Sequence, residues 1–210
     1  MGDYMAKSLN RTFSKISSAI LAVTAIASVS AAAYVSSPSS GTDVGYMFGV
    51  KNANFSTSGS PAPTFTSETG LMAGVIAIGD LGSGVKFRSG GYYAERTAKT
   101  TLSGATSTIK FSYLDVPVTA LYKFNDMVGA FGGLALGLKI ADSCTGDSTV
   151  CSSTTGGYNL PASFITAGQL GLDAKFHPNW SGEIFYEFGL SDISQSTKAS
   201  SISAALIFIY

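Results

Sequence analysis

Charge is what this sequence has least of: 12% of its 210 residues are Asp, Glu, Lys or Arg, against 45% hydrophobic residues. So little charge excludes a disordered acidic or basic tail, and the apolar side chains must be covered somewhere. Thirteen bases balance thirteen acids, so no positive field exists to hold a phosphate backbone, and nucleic acid is excluded as a partner. Beyond the N-terminal region there is no run of about 18 apolar residues, which excludes an ordinary transmembrane helix. No phosphate-cradling Gly loop, nucleotide fingerprint or metal-ligand cluster occurs, and no cofactor or metal is expected. What is abundant is glycine (24), phenylalanine (13) and tyrosine (10). These residues are poor helix formers, and the aromatics favour sheet.

Lys7, Arg11 and Lys15 precede an apolar stretch from Ile16 to Val29, which ends in the small residues Ser30, Ala31, Ala32 and Ala33. This pattern predicts a secretory signal peptide over 1–33, cut after Ala31 or Ala33. About 14 apolar residues are too few to span a hydrocarbon core of ~30 Å comfortably. Removing the segment leaves ten bases and twelve acids. Residues 34–42 read as a short Ser/Pro/Gly linker and 43–210 as one domain. Export would place Cys144 and Cys151 in an oxidising compartment, where a disulfide is the natural pairing, with two free thiols as the alternative.

From Asp43 onward the hydrophobic period is two, the period of a strand with one apolar face. Eight segments alternate in this way: about 43–53, 66–79, 84–96 and 110–124, then Val128 to Ile140, about 164–176, Trp180 to Phe188 and Ile202 to Tyr210. The links Asp80–Ser83, Asn125–Met127 and His177–Asn179 have tight-turn chemistry. Residues of about 54–65, 97–107, 141–163 and 190–198 read as longer Ser/Thr/Gly-rich loops. Short and long connectors therefore alternate, so all short turns fall at one end of the sheet, as an outer-membrane barrel requires.

Alternation alone leaves open a soluble sandwich or a lipocalin-like carrier, so the solvent of each face has to be assigned. Lys51, Glu68, Arg88, Asp115, Lys123, Lys139, Asp173, Lys175, Glu183 and Glu187 share the polar face, with glycines between them. An eight-stranded barrel is just wide enough inside for side chains to fill it. From this face Arg88, Asp115, Lys123, Lys139, Asp173, Lys175, Glu183 and Glu187 are expected to form an ion network plugging the lumen. On the other face Tyr122, Phe124, Phe176, Trp180, Phe208 and Tyr210 cluster beside the short turns and the C-terminus, the placement of an interfacial aromatic girdle. The fold expected is all-β, an eight-stranded antiparallel up-and-down transmembrane barrel.

The segment from Tyr113 to Phe124 (YLDVPVTALYKF), followed by Val128 to Lys139 (VGAFGGLALGLK), resembles the central hairpin of small bacterial outer-membrane β-barrel proteins of the porin family and OmpX/OmpA type. The ending Leu206-Ile207-Phe208-Ile209-Tyr210 is similar to their terminal strand. The resemblance covers about residues 43–210. It implies an outer-membrane location, contact with outer-membrane lipid, and a C-terminal assembly signal, Leu206, Phe208 and Tyr210, read by the barrel-inserting machinery.

Candidate chemistry is sparse. His177 lies before Pro178 in a predicted tight turn, at the opposite end from the long loops, so no base is visible for a lipid-modifying hydrolase or acyltransferase. Glu183 and Glu187 could form a glycosidase-like carboxylate pair, yet nearby Lys and Arg residues on the same face favour ion pairing. The expectation is a non-enzymatic protein with a structural or surface-interaction role through its outer loops, meeting a surface ligand of unknown kind. The alternative is a narrow channel for water, ions or small solutes.

Overall fold

The computed structural model describes residues 41–57, 64–102, 104–147, 151, 162–193 and 197–210. The expected export segment 1–33 and nearly all of the linker lie outside the described residues. Eight strands follow one another in chain and in space: β1 (Thr42–Thr57), β2 (Thr64–Gly82), β3 (Val85–Leu102), β4 (Ala105–Lys123), β5 (Val128–Gly146), β6 (Phe164–His177), β7 (Trp180–Gly189) and β8 (Thr197–Ile209). Each is antiparallel to its neighbours, and β8 pairs with β1 from Gly45↔Ile209 to Thr57↔Thr197, closing the cylinder.

Period two decides which way each residue points. Leu134, Leu170 and Ile184 are 48%, 58% and 64% exposed on the outside, while Met47, Lys51, Tyr92, Leu121 and Phe185 are buried within. Closure satisfies the backbone as well, because a barrel has no free edge to leave N–H and C=O groups unpaired in hydrocarbon.

Three tight turns hold one end. Gly82, Ser83 and Gly84 all have positive φ (86°, 56° and 78°) between β2 and β3, a conformation that glycine adopts without steric cost. Between β4 and β5 the Asn125 Oδ1 accepts the N–H groups of both Met127 and Val128 at 2.8 Å. The third turn, Pro178–Asn179, is tied to the last strand by Asn179 Nδ2 donating to the Ile209 carbonyl at 2.8 Å.

At the other end the strands run further than their apolar pattern. The expected loop 97–107 is the tip of a hairpin, with ladder pairs from Thr97↔Lys110 to Leu102↔Ala105. The expected loop at 141–163 starts later, since β5 reaches Gly146, and β1 and β2 take in 54–57 and 64–65. The physical reason is that an outer-membrane strand needs only about 10 residues to cross the hydrocarbon. β2 to β5 have 18 or 19. In the surplus, Thr66, Lys99, Thr101 and Thr106 meet water while Thr100 and Ser107 are buried on the inner face, so the apolar alternation is lost without losing the ladder. β6, β7 and β8 are shorter, at 14, 10 and 13 residues, so the projecting wall stands on one side of the barrel.

Candidate functional site: a filled lumen and a projecting rim

The lumen is packed in layers. Toward the short-turn end lie Met47, Met72, Ile76, Leu121, Phe131 and Ile207, and toward the long-loop end Ala53, Phe55, Tyr113, Ile165 and Ile193. Charged side chains occupy the space among and between them. Small inward residues make room: a Cβ at Gly137 would come within 2.8 Å of the Asp115 carboxylate.

Four charges meet in the upper group. Lys51 Nζ donates to Glu187 Oε2 at 2.5 Å and to Asp115 Oδ2 at 3.4 Å. Arg96 donates through Nη2 to Asp115 Oδ2 at 2.9 Å and to Glu187 Oε2 at 3.2 Å. Neutral donors complete the Glu187 shell: the Tyr92 hydroxyl at 3.1 Å, Gln169 Nε2 at 3.2 Å and the Ser201 hydroxyl at 3.2 Å. Ring faces attend the cations, with Arg96 5.0 Å from the Tyr113 centroid and Lys51 5.7 Å from that of Tyr92. Such placement is favourable electrostatically, more so where water is excluded.

The lower group holds two separate pairs. Arg88 crosses the barrel from β3 to Glu183 on β7 in a two-pronged pair, Nε to Oε1 at 2.9 Å and Nη2 to Oε2 at 2.5 Å, with its guanidinium 4.4 Å from the Phe131 centroid. Lys123 pairs with Asp173. Across both groups each buried base thus has an acid, so the interior carries no net charge from these eight residues. Neutrality matters because an unpaired ion in a low-dielectric interior costs several kcal/mol.

Of the expected network, Arg88, Asp115, Lys123, Asp173, Glu183 and Glu187 are brought into these two groups. Lys139 and Lys175 stand apart. Lys139 sits near the long-loop end and pairs with Asp142 at 3.1 Å. Lys175 lies opposite Ser181 beside the β6–β7 turn and has no acidic partner among the described residues. Glu68 is also displaced from the inner face: a bulge between Glu68 and Met72 shifts the register, and its carboxylate meets Lys99 at 2.6 Å on the exposed rim. Arg96, Tyr92, Gln169 and Ser201 complete the site without having been singled out. Arg96 shares the parity of Arg88 and Tyr92 along β3, and that signal was available in the sequence.

On the rim, Cys144 near the end of β5 is bonded to Cys151, with Cα atoms 5.5 Å apart, a usual separation for a disulfide. Three of the bases there are occupied, Lys99 by Glu68, Lys110 by Glu95 at 3.0 Å and Lys139 by Asp142, and Lys198 at the start of β8 is exposed opposite Ser56. His177 lies at the opposite end, where its Nδ1 accepts the Asn179 N–H at 3.4 Å. Glu183 and Glu187, the candidate carboxylate pair, are each committed to basic partners. Among the described residues no group of three or more His, Cys, Asp or Glu side chains could hold a metal ion.

Outside, the apolar side chains form a band, and Tyr46 with Tyr210 (5.7 Å) and Trp180 with Phe208 (5.0 Å) pack ring on ring at its short-turn margin. A closed antiparallel cylinder with ions inside and such a band outside is a transmembrane β-barrel. Residues 31–195 match the family described as outer membrane protein beta-barrel domain, and the chain belongs to that family. Its place is the bacterial outer membrane. Among solved structures it is similar to Ail, the attachment invasion locus protein of Yersinia pestis, crystallised with the heparin analogue sucrose octasulfate (12% identity, TM-score 0.50, 80% of this chain and 99% of that one). It is also similar to Neisserial surface protein A (16%, 0.47, 81% and 99%) and to OprG of Pseudomonas aeruginosa (12%, 0.37, 80% and 94%). No curated protein sequence matches the chain.

Proposed function

We propose that this protein is a non-enzymatic outer-membrane barrel whose role is surface interaction, with the lumen serving as a rigid pillar and the projecting β2–β5 wall and its loops as the working surface. The observation that carries the reading is the filled interior. Met47, Phe131 and Ile207 below, the Lys51–Arg96–Asp115–Glu187 group in the middle, and Phe55, Tyr113 and Ile193 above leave no layer of the lumen without side chains. Such packing favours the pillar over the narrow-channel alternative.

The sulfated ligand of Ail is not carried over to this chain. Lys99, Lys110 and Lys139 on the rim are each engaged by a carboxylate, and Lys198 by itself makes no cluster, so among the described residues there is no group of unpaired rim bases to meet a polyanion. Ligands of lower charge suit the Thr- and Ser-rich rim better. The C-terminal residues Leu206, Phe208 and Tyr210 are assigned in the same reading to recognition by the assembly machinery.

The test is conductance in planar lipid bilayers, paired with protease treatment of intact cells. The pillar reading expects no single-channel steps and cleavage of the outer loop at 147–163 from the cell exterior. Stable steps whose size changes in Lys123→Ala or Glu183→Ala would replace it with the channel.

A further inference from the structure

An open groove lies on the lipid-facing wall, outside the lumen. It has a volume of about 590 Å³ and runs obliquely across β5, β6, β7, β8 and β1. Its floor is made by three small outward residues, Ala174, Gly182 and Ala204, and its sides by Leu172, Ile184, Leu206 and Phe48. A Cβ built on Gly182 would meet nothing closer than the Phe176 ring at 3.6 Å, so the floor is open space. Val128, directly after the β4–β5 turn, marks one end, and Val50 the other, two residues before the outward face of β1 turns polar at Asn52.

No charge enters the groove. Asp173 and Glu183 border it, but both are 2% exposed, and their carboxylates are held in the lumen by Lys123 and Arg88. A second copy of the chain fits poorly, because a two-fold interface has to be self-complementary and two facing hollows would enclose an empty space. A flexible apolar thread fills such a channel. The groove is continuous with the band that lipid already covers, and on its short-turn side stand Phe176, Trp180 and Phe208, each two residues along its strand from the lining residues Ala174, Gly182 and Leu206. Short turns face the periplasm in this class of barrel.

We infer that the groove is a binding site for one acyl chain of a glycerophospholipid from the periplasmic leaflet. The chain lies over Gly182 and Ala204 with its headgroup at the Trp180 margin, and it remains with the protein when surrounding lipid is exchanged for detergent.

The experiment uses the full barrel in vesicles of phosphatidylethanolamine and phosphatidylglycerol, extracted in mild detergent and weighed by native mass spectrometry. The wild type is expected to carry one phospholipid. Ala204→Leu and Ala174→Leu, which fill the floor, are expected to lower that adduct at least threefold, while Ala120→Leu on the far wall leaves it unchanged; heat-modifiable gel migration confirms that each variant is folded. Because Trp180 is the only tryptophan, dibrominated acyl chains should also quench its fluorescence in the extracted wild type and lose that effect in Ala204→Leu. A lipid-free wild type, an adduct indifferent to both floor substitutions, or a dimer abolished by them would each overturn the assignment.

Discussion

Replacing Arg88 by methionine would leave Glu183 buried, charged and without its two-pronged partner. Both side chains have no measurable exposure, and the pair joins β3 to β7 across the lumen. Removing one member of such a buried pair costs about 3–5 kcal/mol, most of it the penalty of the abandoned ion. The Phe131 ring also loses the guanidinium stacked 4.4 Å away, although methionine restores part of that contact. Removing the carboxylate too, in Arg88→Met/Glu183→Leu, exchanges the pair for apolar volume and should return the protein to within about 1–2 kcal/mol of the wild type. Urea unfolding in lipid vesicles, followed by Trp180 fluorescence, reads the difference. With an m-value of about 2–3 kcal/mol/M the single variant should lose about 1–2.5 M in its midpoint and the double variant should recover most of it. If the single substitution costs under 1 kcal/mol, or the double costs the sum of the two singles, the two residues are not a desolvated pair and the account of the lumen fails.

The Cys144–Cys151 bond closes an eight-residue ring in the outer loop, a constraint of about 2.5 kcal/mol on the chain-entropy model. Because the ring lies beyond the membrane band, Cys144→Ser/Cys151→Ser should leave heat-modifiable migration unchanged while protease cleavage of the loop on intact cells accelerates severalfold; equal cleavage rates would show that the bond orders nothing there. Glycine positions should divide by what lies beside them. A Cβ at Gly74 collides with the Tyr92 backbone and side chain, whereas one at Gly182 enters open space. Gly74→Ala should therefore lower stability by about 1–3 kcal/mol and Gly182→Ala by less than about 0.5 kcal/mol, as measured by the same urea titration. Equal effects would contradict the packing described.

The legible part of the fold was local. A residue's side of the sheet follows from counting by twos, and the three tight turns follow from Asp80–Ser83, Asn125–Met127 and His177–Asn179, so eight strands, their faces and their order could be read without coordinates. The outward face also announced its solvent, since Leu134, Leu170 and Ile184 recur where no charged residue does. The strand ends toward the long loops were illegible for the converse reason. Along Thr97–Leu102 and Ala105–Lys110 the outward face carries Lys99, Thr101 and Lys110 in place of aliphatics and the buried inward face holds small or polar residues such as Ala98, Thr100 and Ser107, so no apolar alternation marks the strand.

Within the lumen the sequence specified which side chains point inward, and the closed cylinder decided which of them meet. Arg88 and Glu183 are 95 positions apart and Lys51 and Glu187 are 136 apart, and neither separation carries information about pairing. Barrel closure and strand stagger set which strands face one another and at what height. The bulge near Glu68 then carried one acid out to the rim, and the mouths kept Lys139 and Lys175 from the central groups. Chemical type and facing are properties of the chain itself, because they depend on one residue and its immediate neighbours; the pairing of ions and the hollow over Gly182 arise only when distant strands share one wall.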